Sequence, residues 1–131
     1  MIRKTTAILA TLLLSAALCP SAAFASNATW DRLAGSNALG TMYEITETAY
    51  DLGACDTVIV ATVEGYWDGL VGAPLCGRNK APLILARPED PSTATNGFVS
   101  AHANAIEQGY VLGGTSAVPD AVKSALEAAT K

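Results

Sequence analysis

Two carboxylates four residues apart, Glu64 and Asp68, follow the most apolar short run of the chain, Val58-Ile-Val-Ala61. Open α/β sheets place their sites at the C-terminal ends of strands, and oxygen ligands there can hold a divalent cation such as Mg²⁺. No second acidic cluster completes such a site. Asp68 falls where a following helix begins, a position at which a carboxylate stabilises the helix dipole, and that structural role is preferred. Gly113-Gly114 lies between the apolar run Tyr110-Val-Leu112 and Pro119. Backbone N–H groups at such a turn can cradle phosphate, but the pattern is neither a G-x-G-x-x-G nor a P-loop. The need for positive φ or close packing explains the pair equally well. His102 is the only histidine, set among alanines with Asn104 nearby. It has no partner in a nucleophile motif and no His/Cys cluster of metal spacing around it, so it is expected on the surface. The sequence offers no catalytic constellation, and no metal or cofactor is expected; a small-ligand or phosphate binder, or a metal-dependent enzyme, built on Glu64, Asp68 and Gly113-Gly114 is the alternative reading.

What positions these residues begins with export. Arg3 and Lys4, the apolar run Ala7–Leu18 and then Ala23-Phe24-Ala25 have the layout of a secretory signal over residues 1–25, cleaved before Ser26. The apolar run is shorter than the roughly 20 residues that span a bilayer, and no later segment reads as a membrane span. The remaining residues 26–131 are the size of one small domain. They carry six basic and twelve acidic side chains, a net charge of −6. A nucleic-acid-binding protein would present a basic face, so that class is disfavoured. Cys55 and Cys76 remain after cleavage, and an exported protein can pair them; two buried thiols are the alternative.

Apolar residues at Ala38, Met42, Ile45, Ala49 and Leu52 predict a helix, capped by Ser36 or Asn37 and ended by Gly53. Asp56–Thr62 reads as a buried strand. Trp67, Leu70, Val71 and Leu75 predict the apolar face of a second helix, distorted at Pro74. Pro82-Leu-Ile-Leu85 is the next strand, followed by a turn-rich loop from Arg87 to Pro91 and a helix facing inward with Phe98, Ala101 and Ala105. Tyr110–Leu112 is a further strand. Pro119 opens a final helix that buries Val118, Val122, Ala125 and Leu126. The weak pattern Thr29–Leu33 suggests one more strand. Continuous apolar strands alternating with amphipathic helices mean a mainly parallel sheet covered on both faces: a single small α/β domain in a three-layer, Rossmann-like arrangement.

Within that frame the sequence resembles the type 2 cell-wall-binding repeat of Gram-positive surface proteins, from about Arg32 to about Leu126. The family pattern opens with R-x-x-G, continues through D-[AG]-L and a-P-[IL]-[IL]-L, and closes with [YV]-[IV]-L-G-G. Here Arg32-Leu-Ala-Gly35, Asp68-Gly-Leu70, Ala81-Pro-Leu-Ile-Leu85 and Tyr110-Val-Leu-Gly-Gly114 stand in those places, and Thr41 matches the family threonine. Ala38-Leu39 replace the family's usual Arg-aromatic pair before that threonine. The resemblance implies a secreted, non-enzymatic module held at the cell wall by an anionic, teichoic-acid-like glycopolymer or by peptidoglycan. It links the segment Pro82, Leu83, Ile84 and Leu85 to polymer attachment, and gives Gly35, Thr41, Asp68, Leu70, Gly113 and Gly114 motif roles. Arg32, Arg78, Lys80 and Arg87 are the basic candidates for contact with the polymer; ordinary solubilising charge is the alternative. The resembled proteins present three such modules packed around one another, whereas this chain carries one. A homo-oligomer, most simply a trimer joined through helix faces with Trp67 as an anchor, is the corresponding expectation; a module of a surface protein that only self-assembles is the alternative.

Overall fold

Val58, Val60, Ile84 and Ala86 form one buried surface with Phe98, Val99, Val122 and Leu126, and this cluster is the centre from which the rest of the fold is built. The computed structural model describes residues 29–50, 54–95 and 97–130. The regular structure described belongs to the compact unit Arg32–Lys131. The signal segment, residues 1–25, lies outside the described residues, as do Leu52 and Gly53.

Helix α1 spans Ala38–Ala49, with the Asn37 side chain accepting the Gly40 N–H at 3.0 Å. Its buried side differs from the expected one. Ile45 is 47% exposed, Ala38 and Ala49 are exposed, and Thr46 is buried instead. The helix is turned by about one residue, roughly 100°, because Met42 and Tyr50 set its orientation. The Met42 sulfur accepts the Leu85 N–H at 2.9 Å, and Tyr50 meets Phe98 edge-on with ring centroids 5.8 Å apart. Thr46 is tolerated inside because its hydroxyl donates to the Tyr43 carbonyl at 2.9 Å.

Strand β1, Thr57–Thr62, is buried along its whole length. It is the middle strand of a three-stranded parallel sheet ordered β2-β1-β3, where β2 is Leu83–Ala86 and β3 is Gln108–Val111. Ile59 pairs with Leu83 on one side and Tyr110 on the other. Helix α2, Tyr66–Asn79, joins β1 to β2 and packs on the face carrying Ile59 and Ala61. Two short helices, α3 (Ser92–Thr95) and α4 (Phe98–His102), lead from β2 to β3. With the last helix, α5 (Asp120–Ala129), they lie on the opposite face, over the cluster of Phe98 and Val122. The sheet is thus parallel and covered on both faces, as its unbroken apolar strands require. Residues 29–33 form no strand.

The segment expected as one helix through Ala105 is broken into α3 and α4 at Gly97, whose φ of 68° lies in the left-handed region. Phe98, Val99 and His102 face inward, while Ala101 is exposed. His102 is therefore not a surface residue: it is 3% exposed, its ring stacks on Phe98 at 3.9 Å, and its Nδ1 lies 2.9 Å from the Phe98 carbonyl oxygen. Stacking supplies apolar contact and the carbonyl a polar partner, which together let an imidazole replace a core residue. Helix α5 follows expectation, with Pro119 at its N-cap and Val122 and Leu126 buried.

Candidate functional site

Helix α2 departs most from what its pattern implies. Trp67, Leu70 and Val71, the expected inward stripe, are 66%, 64% and 76% exposed, and Tyr66 lies beside Trp67 with centroids 4.1 Å apart. Gly69 and Gly72 are the buried residues. A Cβ on Gly69 would stand 3.2 Å from Leu83, and one on Gly72 would collide with Leu112. The helix backbone thus lies directly on the sheet, and the large side chains that follow the glycines in sequence are turned outward. Gly65, Gly69, Gly72 and Cys76 recur at helical spacing, a stripe of small residues that the stronger aromatic and aliphatic stripe masks in the sequence. Helix α2 continues through Pro74 to Asn79.

The two ends of α2 hold most of the chemistry-bearing residues. At its start, Thr62, Glu64, Gly65, Trp67, Asp68, Ser116 and Ala117 line a shallow pocket of about 280 Å³ at the C-terminal edge of the sheet. Asp68 sits in the first turn, where its charge favours the helix, and its carboxylate lies against Gly113. That glycine has φ of 101°, and a Cβ there would stand 2.6 Å from Asp68 Oδ2. The aspartate and the glycine turn therefore constrain one another sterically, which explains why both belong to one motif. Gly114 has open space around it. Glu64 is exposed. Among the described residues no three His, Cys, Asp or Glu side chains are grouped as a metal site would need.

At the other end, Arg78 lies in the last turn of α2, and Lys80 follows as its C-cap. Lys80 has φ of 51° and ψ of 39°, a left-handed conformation where glycine is the usual residue. Ala81 N–H closes the turn onto the Cys76 carbonyl at 3.0 Å. Arg87 stands elsewhere: it follows Ala86, the partner of Thr62, at the opposite end of β2, and faces Glu89 at 3.7 Å. About seven residues at roughly 3.3 Å each separate Lys80 from Arg87 along the chain, so Arg78 and Lys80 form one basic site and Arg87 belongs to another. Arg32 is exposed ahead of α1, where Gly35 N–H donates to Thr41 Oγ1 at 3.1 Å and ties the opening motif to the helix. Within Pro82–Leu85, Pro82 and Ile84 are buried and Leu83 and Leu85 half-buried.

Cys55 and Cys76 are free thiols, the first buried and the second half-buried. Burial pushes both above the ordinary thiol range. Both also act on the Tyr50 phenol, raised chiefly by its own burial, so they share a neighbour at one end of the sheet.

The family model for Cell wall binding domain 2 (CWB2) matches residues 32–123, from the opening arginine through the start of α5. The chain belongs to the CWB2 family. Membership gives it a cell-wall-binding role and a place at the cell wall or surface, and CWB2 is a family of binding modules. Neither the curated proteins nor the solved structures offer a match. No helix among the described residues is long and apolar enough to cross a membrane. In CWB2 terms, the motif residues Gly35, Thr41, Asp68 and Gly113 brace turns, whereas the motif residue Leu70 points into solvent.

Proposed function

We propose that this chain is a secreted, non-enzymatic CWB2 module that attaches non-covalently to an anionic secondary polymer of a Gram-positive wall. The observation that carries the reading is the family match over residues 32–123. Residues 1–25 are its signal peptide, and residues 26–131 form its single domain. Arg78 and Lys80 are the strongest basic contacts. They lie two residues apart at one end of α2 and are exposed, and Lys80 keeps a charged side chain in a conformation that costs a non-glycine residue roughly 1 kcal/mol or more. Arg87 and Arg32 are secondary contacts, and Pro82 leads into strand β2, Leu83–Ala86, which holds the two ends in place. The net charge of −6 opposes long-range attraction, so short-range contacts to phosphate must dominate.

A single module on a repeating polymer binds weakly, and linked copies gain in avidity, often by about 10²–10⁴-fold. The outward face of α2, with Trp67, Leu70 and Val71, fits self-association, most simply into a trimer: aromatic and apolar anchors are what protein interfaces enrich. Export also permits a Cys55–Cys76 bridge, whose loop of roughly 20 residues would contribute about 3 kcal/mol; alkylation without reduction would find both thiols blocked.

The test of attachment is sedimentation of purified protein with isolated walls. Binding is expected to disappear when phosphate-linked polymers are stripped, and to weaken when Arg78 and Lys80 are replaced by alanine with an unchanged thermal midpoint. Full binding to stripped walls would move the target to peptidoglycan, and no binding to either would overturn the reading.

A further inference from the structure

The two edges of the sheet are finished differently. The outer edge of β2 is covered: Met42 of α1 takes the Leu85 N–H at 2.9 Å. The outer edge of β3 faces a groove of about 600 Å³. Gln108 and Leu112 donate their N–H groups to Asp56 and Val60 at 3.0 and 2.8 Å, so the alternate residues Gly109 and Val111 direct their backbone groups away from β1. The Gln108 side chain bends over to donate to the Gly109 carbonyl at 3.1 Å, which marks that edge as open to polar contact. Gly109 leaves the groove unfilled, since a Cβ placed there would meet nothing within 4 Å. Beneath it lie Val58, Val60, Val118 and Leu126, and the far wall is the side of α5 bearing Asp120, Lys123 and Glu127.

A strand edge beside an apolar floor is the arrangement in which an extended peptide adds to a sheet, with backbone bonds giving affinity and side-chain pockets giving selectivity. The charge of the rim chooses the occupant. Glu107 and Asp120 form no salt bridge among the described residues, and the single cation on the groove, Lys123, is already bonded to Glu127. We infer that the β3–α5 groove docks an extended segment of a partner protein, with lysine or arginine interleaved with small apolar residues, as a fourth strand. A second copy of this chain meeting edge to edge would oppose Glu107 to Glu107 or to another acidic rim residue, which disfavours that pairing. The inference stands on the groove alone and does not require wall binding; together the two would make the module an adaptor that holds a second protein at the wall.

The probe is a fluorescein-labelled peptide of alternating lysine and valine, titrated by fluorescence anisotropy, with an alternating glutamate–valine peptide as its counterpart. Saturable binding of the lysine peptide is expected, at least tenfold tighter than that of the glutamate peptide. Gly109→Leu should weaken it at least tenfold while leaving the circular dichroism and thermal midpoint unchanged, because the new side chain enters open space. Methylating alternate backbone nitrogens of the peptide should also abolish binding. If Gly109→Leu does not fold, hydrogen exchange on the unsubstituted protein decides: the Gly109 and Val111 amides should slow when the peptide binds. No saturable binding, equal binding of the two peptides, Gly109→Leu binding as tightly as the parent, or unchanged exchange at those amides would each overturn the proposal.

Discussion

Helices α5 and α2 cover opposite faces of one small sheet, and they do so by opposite means. Helix α5 buries its large apolar residues, Val122 and Leu126, against Val58, Val60 and Phe98. Helix α2 buries glycines and turns Trp67, Leu70 and Val71 to solvent. The first helix is held by displaced water and dispersion. The second is held by close approach of backbone to sheet, so that Ile59, Ala61 and Leu83 are covered by main chain. An apolar stripe in a sequence thus names a face to be buried, but not the partner that buries it. The outward stripe on α2 is available to another molecule because the glycines already do the intramolecular packing.

The two helices should respond very differently to substitution. The largest effect belongs to the α5 face. Phe98→Ala should cost about 3–5 kcal/mol and Leu126→Ala about 2–4 kcal/mol, since each removes packing from the buried cluster, wholly enclosed at Phe98 and bordering the β3–α5 groove at Leu126; urea unfolding measures both. On α2 the sensitive positions are the small ones. Gly72→Val should cost about 1–3 kcal/mol by overpacking against Leu112, whereas Leu70→Ser should change the stability of the isolated module by no more than about 0.5 kcal/mol. A Leu70→Ser cost equal to that of Leu126→Ala would erase the contrast between the helices. Gly77, with no atom within 4 Å of a Cβ, provides a finer check: Gly77→Ala should stabilise α2 by about 0.5–1 kcal/mol.

A smaller effect is set by pH. Burial raises the Cys55 and Cys76 thiols and the Tyr50 phenol, so the fold favours their protonated forms. For reduced protein that contribution is complete below the ordinary thiol value of 9.0, and it is lost as pH rises through the higher folded values. Thermal midpoints measured at about pH 8 and about pH 10.5 should be lower at the alkaline end. A midpoint that does not fall would place these groups in contact with water.

The strands, their parallel order and α5 were legible in the sequence because each is a continuous or amphipathic apolar run packed within its own domain. The turn residues Gly35, Asp68 and Gly113 were legible through the family motif, and the structure supplies their reason in steric contact and positive φ. Three features were not legible. The face of α1 depends on a methionine sulfur meeting a strand edge and a tyrosine meeting a phenylalanine, contacts that no periodicity encodes. His102 is interior because Phe98, one turn earlier, provides both a ring and a carbonyl. The basic candidates look like one cluster in sequence, yet strand β2 holds Arg78 and Lys80 apart from Arg87, since an extended chain separates near neighbours.

The outward face of α2 links the contrast between the helices to function, because it is what would make a single wall-binding module multivalent. The direct measurement is co-sedimentation with isolated walls, run in parallel for the parent protein and for a Leu70→Glu/Val71→Glu variant, with light scattering on each. The expected result is an oligomeric parent that binds walls roughly 10²-fold more tightly than a folded, monomeric variant. A parent that is monomeric, or a monomeric variant that binds as tightly as the parent, would contradict the proposal that α2 provides the valence for wall attachment.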